Sequence, residues 1–432
     1  MEHLQRATEG QKKSLRAAAI GNALEWFDWT LYGTFSVYLA ANLFERTDPK
    51  SALLATLAVF AGGFIARPVG GWLFGKVGDT IGRKRTLVMT MMLLALSSVG
   101  IALIPTYDSI GLAASGLLLF FRLLQGLAHG GESGVSYTYV AEIAPKERRG
   151  LWSSSVFVSV SIGVMAATAL AAALASALGG EAMADYGWRI GFAMGGVVGL
   201  YALVLRRSAE ESEVFAEQRS EAAPVKLSLR QKLRIAVNIV MISAASNIAY
   251  YTWVTFAPAT AIAQGMDAAG AYRASLLAQL LCLFWLPVCG WLSDRFGRKP
   301  VVIAWGLSVM AVTYPISVIV TTEPMSLFIA QGLGLAAWSL IAAIYPAIVS
   351  EQVPTQARAQ GVGLVSSLSV AIFGGTAPYL NAYLSGSGQH HVYLIYVMVL
   401  GLLAVVAGFL IRETKGVDLA DIRADGSLAT DR

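Results

Sequence analysis

The sequence predicts an all-α membrane protein that crosses the bilayer twelve times, with its helices arranged as two parallel repeats of six. Three observations predict this fold class. Of the 432 residues, 56% are hydrophobic and 14% are charged, and the mean hydropathy of +0.60 exceeds that of water-soluble domains of this size. Apolar runs of about 20 residues, the length that crosses a hydrocarbon core of about 30 Å, recur along the chain. Finally, the two halves of the chain repeat the same loop motif.

The twelve predicted spans are numbered 1 to 12 in chain order. Span 1 is expected to stay in the mature protein, because its apolar run is too long for a signal peptide and contains acidic residues before any small-residue cleavage site. The spans are 16–42, 51–75, 84–105, 110–135, 150–178, 187–206, 235–264, 271–293, 299–321, 324–350, 357–384 and 390–411.

Basic residues give the expected orientation, because cytoplasmic loops of membrane proteins collect Lys and Arg. With both termini in the cytoplasm, 26 of the 32 Lys and Arg residues fall in cytoplasmic segments, and two, Arg67 and Arg122, fall inside spans. We therefore expect a multi-pass protein of the bacterial inner (plasma) membrane. Loops that face anionic lipid head groups account for the net charge of +5, so no nucleic-acid partner is expected.

An internal repeat relates the two halves. The loop GKVGDTIGRKR at 75–85 recurs as GWLSDRFGRKP at 290–300, and EIAPKERRG at 142–150 recurs as EQVPTQARA at 351–359. Each half has an even number of spans, so the second copy enters the membrane from the same side as the first and the repeats are parallel. The predicted domains are an N-terminal bundle at 1–206, a polar cytoplasmic linker at 207–232, a C-terminal bundle at 233–412 and a short cytoplasmic tail at 413–432.

These motifs carry a resemblance. The Gly-x-x-x-Asp-x-x-Gly-Arg-Lys loop of both halves and RLLQG at 122–126 resemble signatures of the major facilitator superfamily. The resemblance implies the major facilitator fold and alternating access, with the substrate bound at mid-depth between the halves; we also expect a monomer. The metabolite:proton symporter family within it carries 2-oxoglutarate, citrate, shikimate, and proline or betaine. Four stretches resemble that family: GNALEWFDW at 21–29, ARPVGGWLFG at 66–75, YGWRIGF at 186–192 and FGGTAPYL at 373–380.

Span 1 carries two carboxylates, Glu25 and Asp28, inside an apolar run. A charge at mid-bilayer costs at least about 2.5 kcal/mol unless it faces a cavity or a partner, and a spacing of three residues puts both on one face of a helix. Arginines lie at similar depth, Arg67 in span 2 and Arg122 in span 4. The polar stripe that Arg122 begins on span 4 continues through Gln125, His129 and Glu132.

We predict that Asp28 carries the transported proton and that Arg122 is its switching partner. A buried carboxylate holds a proton more tightly when it is alone than when it is paired with an arginine, and the family resemblance implies this pairing. Glu25, His129 and Glu132 are candidates for a proton relay. The alternative is a static ion-pair network that holds spans 1, 2 and 4 together.

Arg67 is the candidate for anion recognition, since its planar guanidinium matches a carboxylate bidentately; structural pairing with Glu25 is the alternative. The following Pro68 is expected to open the backbone of span 2. Between 235 and 411, acidic and basic residues occur only near span ends or in loops, so recognition there depends on shape and hydrogen bonding. The other candidate substrate residues are Tyr32, Gln125, Asn247, Tyr250, Tyr251, Trp253, Gln279, Gln331 and Trp338.

The repeated loops predict a gate at the cytoplasmic face. Asp79 and Asp294 lie where a span ends, close in sequence to Arg83 and Arg298, which can pair with carboxylates or cap helix ends. Such a cluster would hold the two bundles together in the outward-open state and release them in the inward-open state. The second repeated loop adds Glu142, Arg149, Glu351 and Arg358 to this gate.

These residues predict a secondary active transporter that takes up a small organic acid, a mono-, di- or tricarboxylate, together with protons. Uptake of a zwitterionic osmolyte such as proline or betaine is the alternative. A proton-antiport exporter is less favoured, because span 5 lacks the Gly-Pro signature of such carriers. We expect no enzyme, no cofactor and no metal, since the sequence has no nucleophile-base constellation, no Walker loop and no metal-ligand spacing.

Overall fold

A computed structural model gives the fold. It describes residues 9–45, 48–81, 83–130, 137–138, 140–142, 144–208, 228–353, 358–419 and 422. Within these ranges, the backbone alone is described for residues 9–18, 21, 75–81, 83–87, 202–208 and 358–360.

All six predicted spans of the first half are helical. Span 1 is interrupted at Phe35, a short helix at Tyr107–Ile110 precedes span 4, and a π-helical turn at Met183–Gly187 joins spans 5 and 6. The helices are Glu9–Thr34 with Ser36–Leu43 for span 1, then Pro49–Ile81, Arg83–Leu103, Leu112–His129, Arg149–Ala182 and Trp188–Ser208 for spans 2 to 6.

The six predicted spans of the second half are helical as well. Three of them are divided: span 7 by a π-helical turn at Tyr250–Thr255, span 10 by a break at 343–344, and span 11 by a π-helical turn at Val370–Gly374. The helices are Leu229–Ala249 with Ala257–Ala263 (span 7), Ala268–Phe296 (span 8), Arg298–Ile319 (span 9), Pro324–Ala342 with Tyr345–Ser350 (span 10), Arg358–Ser369 with Gly375–Gly386 (span 11) and His390–Leu410 (span 12).

The described helices are long and apolar enough for a membrane protein. Nine described stretches qualify as membrane spans by length and hydropathy, and one of them, Lys146–Tyr201, covers spans 5 and 6 together. Large apolar side chains such as Leu112, Trp72 and Leu103 are exposed on the outside of the bundle. In a hydrocarbon solvent these side chains need no burial, so the fold and its surface agree with the predicted all-α membrane class.

Glycines bring spans 2 and 4 into backbone contact. A Cβ added to Gly126 would collide with the carbonyl of Gly63, and one added to Gly70 would collide with the carbonyl of Leu127. Small residues of this kind let membrane helices approach closely. The close crossing places Arg67 of span 2 beside span 4 and fixes the distance between the two intramembrane arginines.

Pro68 lies inside the helix Pro49–Ile81 without breaking it. The expectation that the Arg-Pro pair opens the backbone of span 2 is therefore wrong for this structure. Proline removes one intrahelical hydrogen bond, and Pro68 lies in the stretch where span 2 packs closely against span 4 through Gly63 and Gly70.

The two halves meet through spans 5 and 8 and through spans 2 and 11. Gly150 and Gly290 face each other so closely that a Cβ on Gly150 would lie 2.7 Å from the Gly290 carbonyl oxygen. Phe64 of span 2 packs on Gly375 of span 11. These contacts place the polar face of spans 1, 2 and 4 opposite the aromatic residues Tyr250, Tyr251 and Trp338 of spans 7 and 10.

Candidate functional site

Glu25 and Asp28 are buried in the middle of span 1, with 7% and 5% of their surfaces exposed. Both line a cavity of about 20 Å³ against span 3 and span 6, whose walls include Met91, Leu94 and Gly195. The cavity is large enough for about one water molecule. The two carboxylates therefore share a small buried space, as their spacing of three residues predicts.

Asp28 is held by a hydrogen-bonded network. Ser98 of span 3 donates to one carboxylate oxygen, and the Gln125 amide nitrogen donates to the other at 3.0 Å. The Gln125 amide oxygen in turn accepts from Nη1 of Arg122 at 3.0 Å. Asp28 and Arg122 are thus linked through Gln125 and form no direct ion pair, which differs from the expected pairing because the amide fills the space between them.

Glu25 is engaged with His129. The Nδ1 atom of His129 and the Glu25 carboxylate form a buried close contact between spans 1 and 4. The His129 ring also packs edge-on against Trp29, with ring centroids 4.6 Å apart. The alternative pairing of Glu25 with Arg67 does not occur among the described ion pairs.

The two intramembrane arginines converge on one tryptophan. The guanidinium carbon of Arg67 lies 3.9 Å from the centroid of the Trp29 ring, and that of Arg122 lies 3.5 Å from it. Nε of Arg67, and Nε and Nη2 of Arg122, are buried without a hydrogen-bond partner among the described residues. Two cations with unused donors therefore contact the same ring, and free guanidinium donors are the groups that bind a carboxylate.

The sequence does not single out Trp29 or Ser98. An aromatic residue and a serine are both ordinary in a membrane span, so neither residue type is a signal by itself. The position of Trp29 was informative, because it follows Glu25 by four residues and therefore shares the polar face of span 1. No comparable signal exists for Ser98, whose contact with Asp28 joins residues 70 apart in the chain.

Two residues that were expected to contact the substrate, Tyr32 and Gln125, are hydrogen-bonded within the protein. The Tyr32 hydroxyl donates to the backbone carbonyl of Thr56 at 2.8 Å, and its ring packs against the Arg122 guanidinium. Both ends of the Gln125 amide belong to the network around Asp28. These side chains support the arginines and the carboxylate, so the geometry does not favour them as direct contacts of a substrate.

An aromatic wall from the second half faces the arginines. Tyr251 packs edge-on against Phe64 at 5.2 Å, Tyr250 packs against Tyr251 at 4.9 Å, and Trp338 packs against Tyr250 at 5.2 Å between ring centroids. Trp253 packs on span 10 at Gly334. Three of the four expected aromatic residues therefore form one row that starts next to Arg67, and Trp253 lies behind it.

The amide side chains of the second half differ in their surroundings. Asn247 donates to the Ser369 hydroxyl at 3.3 Å, which joins spans 7 and 11. Gln279 donates to Thr168 of span 5 at 3.3 Å and to Ser275 at 2.9 Å, and its amide oxygen is left without a partner in the described structure. Neither polar atom of the Gln331 amide, which is 2% exposed, has a described hydrogen-bond partner.

Both ends of the site are closed by contacts between the halves. At the end away from the basic loops, the Tyr272 hydroxyl donates to the Thr34 carbonyl at 2.8 Å, and Phe256 packs against Phe60 at 4.9 Å. At the opposite end, hereafter the basic end, Asp294 accepts from the backbone nitrogens of Gly150 and Leu151, each at 2.8 Å. Among the described residues, the two halves are therefore in contact at both ends of the site.

The basic end is a charged cluster that joins the halves. Arg298 donates to Asp294 at 2.9 Å and to Glu351, and Arg149 of the first half donates to Glu351 at 3.0 Å. Glu351, 3% exposed, thus holds one arginine from each half. The buried acid at the centre of the expected gate is Glu351, while Asp294 caps the start of span 5.

Several expected residues cannot be placed. Glu132 lies outside the described residues, and the side chains of Asp79, Arg83 and Arg358 do as well. Glu142 is described and is exposed. Among the part of the chain that is described, no group of three or more His, Cys, Asp or Glu side chains could hold a metal ion.

Comparison with known proteins identifies relatives over nearly the whole length. The Major Facilitator Superfamily profile matches residues 18–288 and 274–426. An alpha-ketoglutarate permease of Escherichia coli is 34% identical, covering 93% of this chain and 94% of the relative. A citrate-proton symporter of Klebsiella pneumoniae is 34% identical, covering 89% and 88%. A proline/betaine transporter of Salmonella typhimurium is 29% identical, covering 93% and 84%.

Solved structures show the same fold. The structure of a proton:xylose symporter, XylE, bound to 6-bromo-6-deoxy-D-glucose superposes with a TM-score of 0.74 at 17% identity, covering 94% of this chain and 97% of XylE. An inward-open structure of XylE from E. coli superposes with a TM-score of 0.72 at 19% identity, covering 94% and 98%. At this identity the likeness concerns the fold alone.

Proposed function

The chain belongs to the Major Facilitator Superfamily, and from this premise we propose that it takes up a small organic acid together with protons. Its family and relatives are membrane transporters and not enzymes. The observation that supports the proposal best is the convergence of Arg67 and Arg122 on Trp29, with Arg122 joined to the buried Asp28 by two hydrogen bonds through Gln125. An anion site and a proton site are thereby adjacent.

Gln125 couples the two sites in the mechanism that we propose. While Asp28 is ionised, it holds the Gln125 amide nitrogen, and the amide oxygen holds Arg122. A proton on Asp28 removes the negative charge and weakens its acceptance of that hydrogen bond, because hydrogen bonds to charged groups are about twice as strong. Gln125 then releases Arg122, which turns its donors to the carboxylate of the substrate beside Arg67.

Glu25 and His129 are the proposed relay to Asp28. Both residues reach the polar face of span 1 on which Asp28 lies, and the cavity that Glu25 and Asp28 share has room for about one water molecule. Histidine is suited to pass a proton near neutral pH. A proton moves in this scheme from His129 to Glu25 and through the cavity to Asp28.

The cluster at the basic end is the proposed gate. Glu351 and Asp294 join the halves through Arg149, Arg298 and the start of span 5. Breaking these bonds opens the site to the side of the basic loops, which the distribution of Lys and Arg assigns to the cytoplasm. We propose that both termini lie on that side of a bacterial inner membrane.

The relatives suggest two substrate classes, organic acids and zwitterions. The geometry supports the acid, because the two arginines bring two positive charges to the site while Glu25 is engaged with His129. A quaternary ammonium such as that of betaine is recognised by aromatic faces, so the two arginine charges, and not the lack of a free carboxylate, favour the acid. The proposed substrate therefore has a net negative charge, and the protons transported with it offset that charge during uptake.

Uptake into proteoliposomes tests the proposal. Labelled 2-oxoglutarate, citrate, shikimate, an aromatic acid and betaine are offered with an inside-alkaline pH gradient to the native protein and to Asp28→Asn. We expect an acid to accumulate only with the gradient, and Asp28→Asn to abolish accumulation but retain exchange across the membrane. The control is Asp185→Asn, which changes an exposed carboxylate in the turn between spans 5 and 6, at the end of the bundle away from the basic loops. Gradient-driven uptake of betaine alone, or accumulation that survives Asp28→Asn, would overturn the proposal.

A further inference from the structure

The chain does not leave the protein surface where span 12 ends at Leu410. Residues 411–422 follow it, hereafter the tail segment, and the structure describes all of them except 420 and 421. The side chains of Thr414, Leu419 and Ile422 are buried, although the segment lies beyond the last apolar run. Terminal residues are poorly ordered unless contacts tie them down. Burial of this kind therefore indicates that the tail segment is docked on the helix bundles.

The first part of the tail segment is anchored to the second half. The Glu413 carboxylate accepts from the backbone nitrogens of Arg298 at 2.8 Å and Lys299 at 3.1 Å, where span 9 begins. The Lys415 ammonium donates to the Arg295 carbonyl at 2.8 Å, near the end of span 8. An anion at a helix start and a cation at a helix end satisfy backbone groups that have no partner within the helix. This anchor therefore moves with the second half.

The last described part of the tail segment rests on the first half. Val417, Leu419 and Ile422, hereafter the apolar foot, pack together on Ala141, which lies between spans 4 and 5. Ala141 is fully buried. Arg149, at the start of span 5, also donates from Nη1 to the Val417 carbonyl at 3.0 Å. A segment that is anchored to one half is thus held by the other half as well.

The tail segment also contacts the buried acid of the proposed gate. The Thr414 hydroxyl donates to the Glu351 carboxylate, which accepts from Arg149 and Arg298 as well. Nη1 of Arg149 is shared between Glu351 and the Val417 carbonyl. The tail segment therefore crosses the junction of the two halves directly at the charged cluster.

The foot cannot keep its contact when the basic end opens. Alternating access is largely a rigid-body rocking of one bundle against the other, and the anchor and the foot are held by different bundles. Val417 follows Lys415 by two residues, a stretch of chain that spans at most about 7 Å. Separation of the halves at this end therefore pulls the foot away from Ala141.

We propose that the tail segment is a strap that holds the basic end closed, and that its apolar foot leaves Ala141 whenever the site opens to that side. A contact made in only one of two states shifts the equilibrium towards that state. The inference rests on the proposed gate and adds a part without charge. The foot acts by removing apolar surface from water, so it favours the closed state by a different force from the ion pairs of Glu351.

Distances between spin labels on the purified protein test the proposal. Both native cysteines are replaced by serine, and labels are attached to new cysteines at Glu147 and Arg230, exposed residues of different halves at the basic end. A second pair, at Asp108 and Glu323, reports the opposite end. Double electron–electron resonance then gives the fraction of molecules in which each end is open.

A chain that ends at Gly416 keeps the anchor and loses the foot. We expect the fraction with an open basic end to rise at least about threefold, because a contact made only in the closed state is lost. The matched control is a chain that ends at Ile422, which keeps the foot and should keep the native fraction. An unchanged fraction in the shorter chain, the same rise in both chains, or opening of both ends at once would overturn the proposal.

Leu419→Ser combined with Ile422→Ser tests the foot without shortening the chain. The Val417 carbonyl stays available to Arg149, so we expect a smaller rise in the same direction. The control combines Leu112→Ser with Ile110→Ser, the same exchange on two exposed side chains at the opposite end, and should leave the basic end closed. A basic end that stays closed in the foot variant, or that opens equally in the control, would show that the foot does not hold the halves.

The distances separate this inference from the proposed function, because they need neither a substrate nor a pH gradient. If the foot variants open the basic end but no acid accumulates with the gradient in the native protein, the strap stands and the symport proposal is wrong. If the native protein accumulates an acid but the foot variants keep the native distances, the symport proposal stands and the strap is wrong.

Discussion

The guanidinium carbon of Arg122 lies 3.5 Å from the centroid of the Trp29 ring, in the membrane interior, where the arginine is fully buried. The same ring also carries Arg67. A cation over a tryptophan face is stabilised by about 2 kcal/mol or more when both are desolvated. The Trp29 ring therefore stabilises the buried positive charge of two arginines, as a carboxylate partner would, but it leaves their N–H donors free to bind another group.

Trp29 is expected to position both arginines for the substrate. Replacing it with Leu removes the ring face, and we expect KM for the transported acid to rise about 10- to 30-fold, the equivalent of about 2 kcal/mol. Trp29→Phe keeps a weaker ring face and should raise KM only a few-fold. Initial uptake rates over a range of substrate concentrations measure both values. A leucine variant with native KM would show that the ring contacts do not position the arginines.

Substrate binding is expected to depend on the planar shape of the Arg67 guanidinium and not only on its charge. Arg67→Lys keeps a cation but loses the bidentate geometry, so we expect KM to rise about tenfold or more at a maximal rate changed much less. Arg273→Lys is the matched control, because Arg273 is exposed and donates only to Ala269 of its own helix in the described structure. If the two variants show the same KM, Arg67 does not bind the carboxylate.

Asp294 is expected to keep the basic end closed. It accepts two backbone hydrogen bonds from the start of span 5 and pairs with Arg298. Asp294→Asn removes the charge, and hydrogen bonds to charged groups contribute about 1.5–3 kcal/mol. We expect a cysteine placed at the buried Ser154 to react with a maleimide about tenfold faster in this variant.

The control for the gate is Asp267→Asn. Asp267 caps span 8 at the opposite end and accepts from Gly270 of the same half at 2.7 Å. The same substitution there removes a charge at the end of the molecule away from the gate, so the maleimide rate at position 154 should stay native. Equal acceleration by both variants would mean that the rate reports general loosening and not the gate.

Gly126 is expected to be irreplaceable for a steric reason. A Cβ there collides with the Gly63 carbonyl, so Gly126→Ala must push spans 2 and 4 apart, at a cost typically of about 1–3 kcal/mol for overpacking. We expect a lower melting temperature of the purified protein and weaker substrate binding, because the crossing positions Arg67 beside Arg122.

Gly116→Ala is the matched control on the same helix. A Cβ at Gly116 meets nothing within 4 Å, and alanine favours a helix over glycine by up to about 1 kcal/mol. The melting temperature should therefore stay native or rise. If Gly116→Ala destabilises the protein as much as Gly126→Ala does, the close crossing is not the cause.

Much of the fold follows from the sequence, because it depends on local properties. Apolar runs of membrane length predicted all twelve helices, and the repeated loops predicted the parallel halves. The burial of Asp28 and Arg122 also followed from sequence, since a charged residue inside a span must leave the lipid. The continuous helix through Pro68 did not follow, because the packing around a proline, and not the proline alone, decides whether the helix opens.

The contacts of the site are less predictable, because they join residues far apart in the chain. Periodicity placed Gln125 on the face of Arg122, but the depth and rotation of spans 1 and 4 decided that it reaches Asp28, 97 residues away. The sequence likewise predicted Glu351 only as the second copy of Glu142 in a repeated loop. Its burial between arginines of both halves arises only when spans 5 and 9 meet at the basic end.

The sequence by itself thus determined the membrane fold, the repeat and the set of charged residues that must be buried, because hydropathy and helical period are properties of single segments. The tertiary structure alone decided which of those charges share a partner. That choice depends on how closely the helices cross, and the crossing of spans 2 and 4 is set by Gly63, Gly70 and Gly126, whose lack of a side chain brings both Arg67 and Arg122 into contact with the ring of Trp29.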